Sequence, residues 1–195
     1  MVLFKETKKL FFDEFPYKIV LRTKYARWFR NEQDLEVIKN RIWSNINDVH
    51  VEYVRNVLGE LETIDKFKFR VETPFLSIYL NNEDALNSIL NIDTSMVKYY
   101  SKPLTNLIAG EVVVKSLPYG FKVFLDRTTQ SHASFVEWAE AQPTKFRLPK
   151  SCKTQLCKQR NFRSIYFYAK DENSILLARM QLGSAIKSIE KIVKG

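Results

Sequence analysis

The chain has 195 residues, 31 basic and 22 acidic side chains and a formal charge of +9, with 45% apolar and 13% aromatic content. Such a composition belongs to a globular chain, with length enough for one large core or two small ones. The five glycines, at 59, 110, 120, 183 and 195, stand too far apart to write GxGxxG or a P-loop, which excludes a glycine-rich phosphate cradle.

At the N-terminus (MVLFKETKKLFFDEF) charges interrupt every apolar run, so no signal peptide is expected. No later run approaches the ~20 apolar residues of a membrane span, and no membrane partner is expected. Residues 17–23 (YKIVLRT) alternate as a strand, Ile19 and Leu21 opposing Lys18, Val20 and Arg22. Leu35, Ile38, Ile42 and Ile46 recur at helical spacing behind cap-type residues at 31–34. Residues 48–62 fit a helix or a strand, and their length favours the helix.

Residues 66–73 alternate, with Phe67, Phe69 and Val71 on one face and Lys66, Lys68 and Arg70 on the other. Pro74 ends that strand, and 75–80 (FLSIYL) begins another. A short helix with Leu86, Ile89 and Leu90 follows capping residues at 81–84, and 96–101 reads as extended. Beyond a boundary expected within 103–110, residues 111–116 and 120–126 suggest a hairpin around Leu117-Pro118-Tyr119-Gly120. A helix at 131–141, a strand at 164–169, a helix from 171 to about 183 and a strand at 186–193 complete the chain.

The expected architecture is α+β, two tandem ferredoxin-like (βαββαβ) halves. Residues 1–103 form the first half, with an inserted helix. Residues 104–195 form the second, with an extra hairpin strand and a basic loop at 141–163. Ser77-Ile78-Tyr79-Leu80 ahead of Glu83-Asp84 echoes Ser164-Ile165-Tyr166-Phe167 ahead of Asp171-Glu172. Duplication and ordinary strand-then-capped-helix grammar both produce such an echo.

Charge is the most informative feature. Residues 141–170 hold eight of the 31 basic residues and no acid, leaving 23 basic against 22 acidic elsewhere. A second acid-free window, 15–31, contributes Lys18, Arg22, Lys24, Arg27 and Arg30. Clustered cations of this kind point to a polyanionic partner, since Lys and Arg neutralise phosphates and release counterions. Lys145, Arg147, Lys150, Lys153, Lys158, Arg160 and Arg163 are the candidate phosphate contacts, extended by Lys18, Arg22, Arg27 and Arg30 if the halves face each other. The alternative is a solvated loop whose charge serves solubility.

Aromatic residues interleave with these cations. Phe146 and Phe162 are candidates for stacking on unpaired bases, worth about 1–3 kcal/mol each. Along residues 164–169, Ile165 and Phe167 point one way and Tyr166 and Tyr168 the other. If helices cover one sheet face, the tyrosines stand on the opposite one, as in RNA-recognition sheets, with Lys66, Lys68, Arg70 and Tyr79 on the open face of the first sheet. Packing of the two sheets face to face is the competing reading.

Catalytic and metal signals are thin. Cys152 and Cys157 are looser than structural zinc spacing, and His50 and His132 are the two histidines. No metal or other cofactor is expected, and without a secretory signal the cysteines are expected as reduced cytosolic thiols. His132 near Asp126, and the acidic pairs Asp13/Glu14, Glu83/Asp84 and Asp171/Glu172, suit helix ends and caps.

Tyr119 with 121–125 (FKVFL), 134–138 (SFVEW), 165–172 (IYFYAKDE), Gly183 and 189–193 (IEKIV) together resemble uncharacterised proteins encoded by tailed phages. Residues 17–20 and 28–30 add an N-terminal echo. The resemblance implies a viral setting, hence a host cytoplasm, and supplies no activity or site. The tandem order with a basic insertion is also similar to CRISPR repeat-processing endoribonucleases. Their glycine-rich loop near the C-terminus has no counterpart, since Gly183 and Gly195 stand alone, so cleavage is not implied.

The expected function is non-catalytic binding of nucleic acid, single-stranded or structured RNA or single-stranded DNA. The alternative is a virion or assembly protein whose basic loop docks on an acidic protein partner or on packaged genome. A metal-dependent phage nuclease ranks third.

Overall fold

Ten strands and six α-helices occupy the residues described by the computed structural model, 2–30, 34–43, 49–126, 131–158 and 165–195. They build a mixed α+β chain with two five-stranded sheets, divided into units Met1–Ala109 and Gly110–Gly195. Among the described residues no helix is long and apolar enough to cross a membrane.

The first unit runs β1 (Leu3–Glu6), β2 (Tyr17–Arg22), α1 (Leu35–Trp43), α2 (Val49–Leu61), β3 (Phe67–Glu72), β4 (Phe75–Leu80), α3 (Glu83–Ile92) and β5 (Val97–Lys102). Its sheet order is β1-β5-β2-β4-β3; β1 pairs parallel to β5, and the other neighbours are antiparallel. Strand periodicity sends Ile19, Leu21, Phe69, Leu76, Ile78 and Leu80 to one face, where they join Ile38, Ile42, Leu58, Leu61 and Ile89 of the helices in one core. Glu72 pairs with Phe75, so Thr73-Pro74 is the whole of the β3–β4 turn. Asn82 starts α3 by accepting a 2.7 Å hydrogen bond from the Ala85 N–H.

The second unit runs β6 (Glu111–Val114), β7 (Phe121–Leu125), α4 (Ala133–Glu140), β8 (Phe146–Arg147), α5 (Lys150–Leu156), β9 (Ile165–Ala169), α6 (Glu172–Leu182) and β10 (Ile186–Lys194). Its sheet order is β6-β10-β7-β9-β8, again with one parallel pair, β6 with β10. Val123, Leu125, Ile165 and Phe167 meet Phe135, Val136, Cys152 and Leu156 in a second core. Asp171 caps α6, accepting from the Ser174 N–H at 2.8 Å and from its hydroxyl at 2.7 Å.

Three features depart from the sequence reading. The hairpin expected between 111–116 and 120–126 does not form, because β10 lies between β6 and β7 and pairs with both. Its nine residues satisfy two edges at once, Ile189 opposite Val123 and Val193 opposite Val113. The N-terminal segment, which carried no strand signal, supplies β1 at the edge of the first sheet. The basic stretch at 141–163 is not a plain loop, since β8 and α5 lie inside it, with Pro149 at the start of α5.

Candidate nucleic-acid interface

Alternation along β7 and β9 builds the site. While Val123, Leu125, Ile165 and Phe167 enter the helix-side core, Lys122, Phe124, Tyr166 and Tyr168 stand on the face turned away from the helices. Cross-strand register sets Phe124 opposite Tyr166 and Lys122 opposite Tyr168; on the other side of β9, Arg147 stands opposite Tyr168.

The rings form one connected patch. Tyr166 and Tyr168 meet nearly edge to face at 5.5 Å, and Phe124 lies 5.8 Å from Tyr166. Tyr119 is stacked beside Tyr168 at 6.2 Å and donates a 3.0 Å hydrogen bond to the Pro143 carbonyl. The Lys122 ammonium sits 4.2 Å from the Tyr166 ring centre and 4.7 Å from that of Phe124. All four rings are half-buried, which leaves ring surface open to a ligand.

Gly120 permits this arrangement. Its N–H donates to the Lys170 carbonyl at 3.0 Å, and a Cβ there would lie 2.7 Å from the same oxygen. The backbone of 120 can press against β9, and thereby seat Tyr119, only without a side chain. Burial raises the Tyr168 hydroxyl above the ordinary phenol range, with Tyr166 adding to the shift and Arg147 opposing it. Tyr168 therefore stays neutral and keeps its O–H donor at neutral pH. One carboxylate closes the row, since Glu190, 6% exposed, stands opposite Lys122 on β10.

The candidate residues from the sequence are distributed as follows. Arg147, Tyr166 and Tyr168 come together on this face. Lys145 is exposed just before β8, with its ammonium 3.1 Å from the Gln142 side-chain oxygen. Lys150 and Lys153 belong to α5, whose Cys152 and Leu156 pack into the helix-side core, and Lys158 follows that helix. Lys153 is ion-paired with Glu140. Phe146, expected to stack on bases, is 3% exposed and packs among Phe135, Trp138 and Phe167. Its register opposite Ala169, a core residue of β9, puts its ring on the helix side of the sheet. Arg160, Phe162 and Arg163 lie outside the described residues.

In the first unit Lys18 and Arg22 lie on the face of β2 opposite Ile19 and Leu21, whereas Arg27 and Arg30 are exposed at a short helical turn, Ala26–Phe29. Lys66 and Arg70 are ion-paired with Glu14 and Glu72. The sequence reading missed Lys122, Phe124 and Tyr119. The alternation of FKVFL already placed Lys122 and Phe124 on one face; the missing knowledge was that β9 would be their neighbour.

Among the described residues no group of three or more His, Cys, Asp or Glu side chains is arranged to hold a metal ion. Cys152 is buried and its thiol is pushed up to about 12 by desolvation, whereas Cys157 is exposed. No protein-family description, curated protein or solved structure matches this chain.

Proposed function

We propose that this protein binds single-stranded nucleic acid, RNA or DNA, and that the second unit's helix-free sheet face takes unpaired bases. The observation that carries the reading is the patch of Tyr119, Phe124, Tyr166 and Tyr168, half-exposed and flanked by Lys122 and Arg147. Aromatic rings on an open sheet hold bases by stacking irrespective of sequence, and the adjacent cations meet the backbone. The tyrosine hydroxyls, with the Arg147 guanidinium beside Tyr168, add donors for phosphate and base edges.

The finer architecture belongs to the same proposal. The inner orders β5-β2-β4-β3 and β10-β7-β9-β8 support reading both units as ferredoxin-like halves of one repeated plan. The sequence likeness to tailed-phage proteins supports a setting in an infected host cell. One observation favours an assembly role instead: Leu3 and Phe4 are 58% and 39% exposed on the edge strand β1, whose outer side is open to strand addition.

Fluorescence anisotropy with a labelled oligothymidine or oligouridine tests the reading. Tyr166→Ala and Tyr168→Ala are each expected to weaken binding by about 1–3 kcal/mol, while the Phe replacements retain most of it. Alanine variants that are folded and bind like the parent refute it. Association with purified particles, without binding of free oligonucleotide, identifies the assembly role.

A further inference from the structure

The first unit carries its own basic–tyrosine–basic row at the position where the second unit carries Arg147–Tyr168–Lys122. Register runs Lys68 opposite Tyr79, Tyr79 opposite Lys18, Lys18 opposite Ser101, and Ser101 opposite Lys5, one residue from each of five strands. Tyr79 lies three residues before its helix cap Asn82, and Tyr168 three before its cap Asp171. Structural equivalence therefore pairs Tyr79 with Tyr168, two residues away from the letter match of SIYL with SIYF.

The two rows differ in what they leave accessible. Tyr79 is 3% exposed, with Phe11 at 5.2 Å and Phe12 edge-on at 4.8 Å, both from the segment between β1 and β2. No base can reach that ring. The cations around it remain available: Lys5 and Lys68 are exposed and Lys18 is half-buried.

Aromatic faces hold all three ammoniums in place. Lys5 lies 3.7 Å from the Tyr99 ring centre and Lys68 4.2 Å from that of Phe12. Lys18 lies between Phe11, Tyr79 and Tyr99 at 5.7, 5.2 and 5.5 Å. Among the described residues none of the three has a carboxylate within ion-pair distance, unlike Lys66 and Arg70 nearby. A ring face attracts the ammonium without consuming its charge or satisfying its N–H donors, so the groups sit against rings yet stay unneutralised. Strands lie about 4.8 Å apart, so the three cationic positions recur roughly every 10 Å across the sheet.

We propose that Lys68, Lys18 and Lys5 form a second nucleic-acid site, which takes the phosphodiester backbone of a single strand without reading its bases. This goes beyond the base-stacking role given to the second unit, and makes the chain bivalent, the second unit holding bases with their phosphates and the first holding phosphates alone.

An oligodeoxynucleotide of abasic residues, a phosphodiester chain without bases, is the probe, used with the full-length protein. The parent is expected to bind it, and Lys5→Gln/Lys18→Gln/Lys68→Gln to lose at least roughly tenfold in affinity at low salt. The slope of log affinity against log salt should flatten by about 2, from three phosphate contacts at about 0.7 each. Lys5→Arg/Lys68→Arg should retain binding, because the charge that meets the phosphates is kept. A triple Gln variant with unchanged melting temperature, affinity and salt slope overturns the proposal. So does a parent that ignores the abasic strand, or that prefers polyglutamate of equal charge. Failure of the stacking site shows elsewhere, as oligothymidine binding that the tyrosine variants do not change.

Discussion

Gly120 shows how a missing side chain can hold an aromatic patch together. Its missing side chain lets the 120 backbone approach Lys170, and Tyr119 follows into contact with Tyr168. Gly120→Ala forces a Cβ against a backbone carbonyl that has little room to move. A loss of about 1–3 kcal/mol is expected in urea unfolding, the range for overpacking. The cysteines offer a second check. Cys157 is exposed and should react readily with iodoacetamide in the native protein. Cys152, buried with its thiol pushed up to about 12, should react only on unfolding. Labelling of both at equal rates in native buffer would contradict the packing of α5.

Among the elements, the caps of α3 and α6 were legible in the chain, whereas Asp13/Glu14, also assigned to a helix end, lies in the turn before β2, and His132 starts α4 with no side-chain cap hydrogen bond. Asn82 and Asp171 both accept from the N–H three residues on, as their position ahead of an apolar run requires. Asn82→Ala should cost about 1 kcal/mol in thermal or urea unfolding. Asp171 adds a pH dependence. Hydrogen bonds from the Ser174 N–H and hydroxyl hold its carboxyl below the ordinary carboxylate range. A depressed folded-state value means that the unfolded chain binds the proton first, so the cap stabilises fully above the unfolded value. That stabilisation is lost as pH falls through the folded one. Melting curves of the parent and Asp171→Asn should therefore differ in pH dependence below about pH 4, the neutral amide cap being indifferent to acid.

β3 and β9 were readable because one face of each is the more buried, whereas β4, buried on both faces, was readable as an apolar run starting after Pro74. β1 was not, since Leu3, Phe4 and Lys5 are all exposed and pairing with β5 alone makes them a strand. The elements within the basic stretch were hidden for a related reason. β8 has two residues, and α5 announces itself only through Cys152 and Leu156 at i and i+4, amid polar neighbours.

At the scale of the whole molecule, charge clustering along the chain did not translate directly into clustering in space. Residues 141–170 contain no acid, yet Glu140, immediately outside them, pairs with Lys153, and the cations of α5 attach to the helix layer. The sequence reading named a ferredoxin-like plan but no cross-strand register. That register places Lys122 beside Tyr168 and lines up Lys68, Lys18 and Lys5 from three distant segments. Sheet rows, more than the acid-free windows, organise the cations of the two proposed sites. Arg147→Glu is accordingly expected to weaken oligonucleotide binding more than Lys153→Glu, whose parent side chain already has a carboxylate partner. Anisotropy titrations of the two variants at matched salt decide this, and equal losses would return the weight to the linear cluster.

The aromatic face of β7 and β9 as a base platform is the central claim, and photo-crosslinking reaches it most directly. Oligonucleotides carrying 5-iodouracil, irradiated in complex with the full-length protein and digested for mass spectrometry, attach to aromatic side chains in stacking contact. Crosslinks at Tyr166, Tyr168, Phe124 or Tyr119 are the expected result. Crosslinks confined to peptides of α5 and the helix layer, with those four residues unmodified, would contradict it.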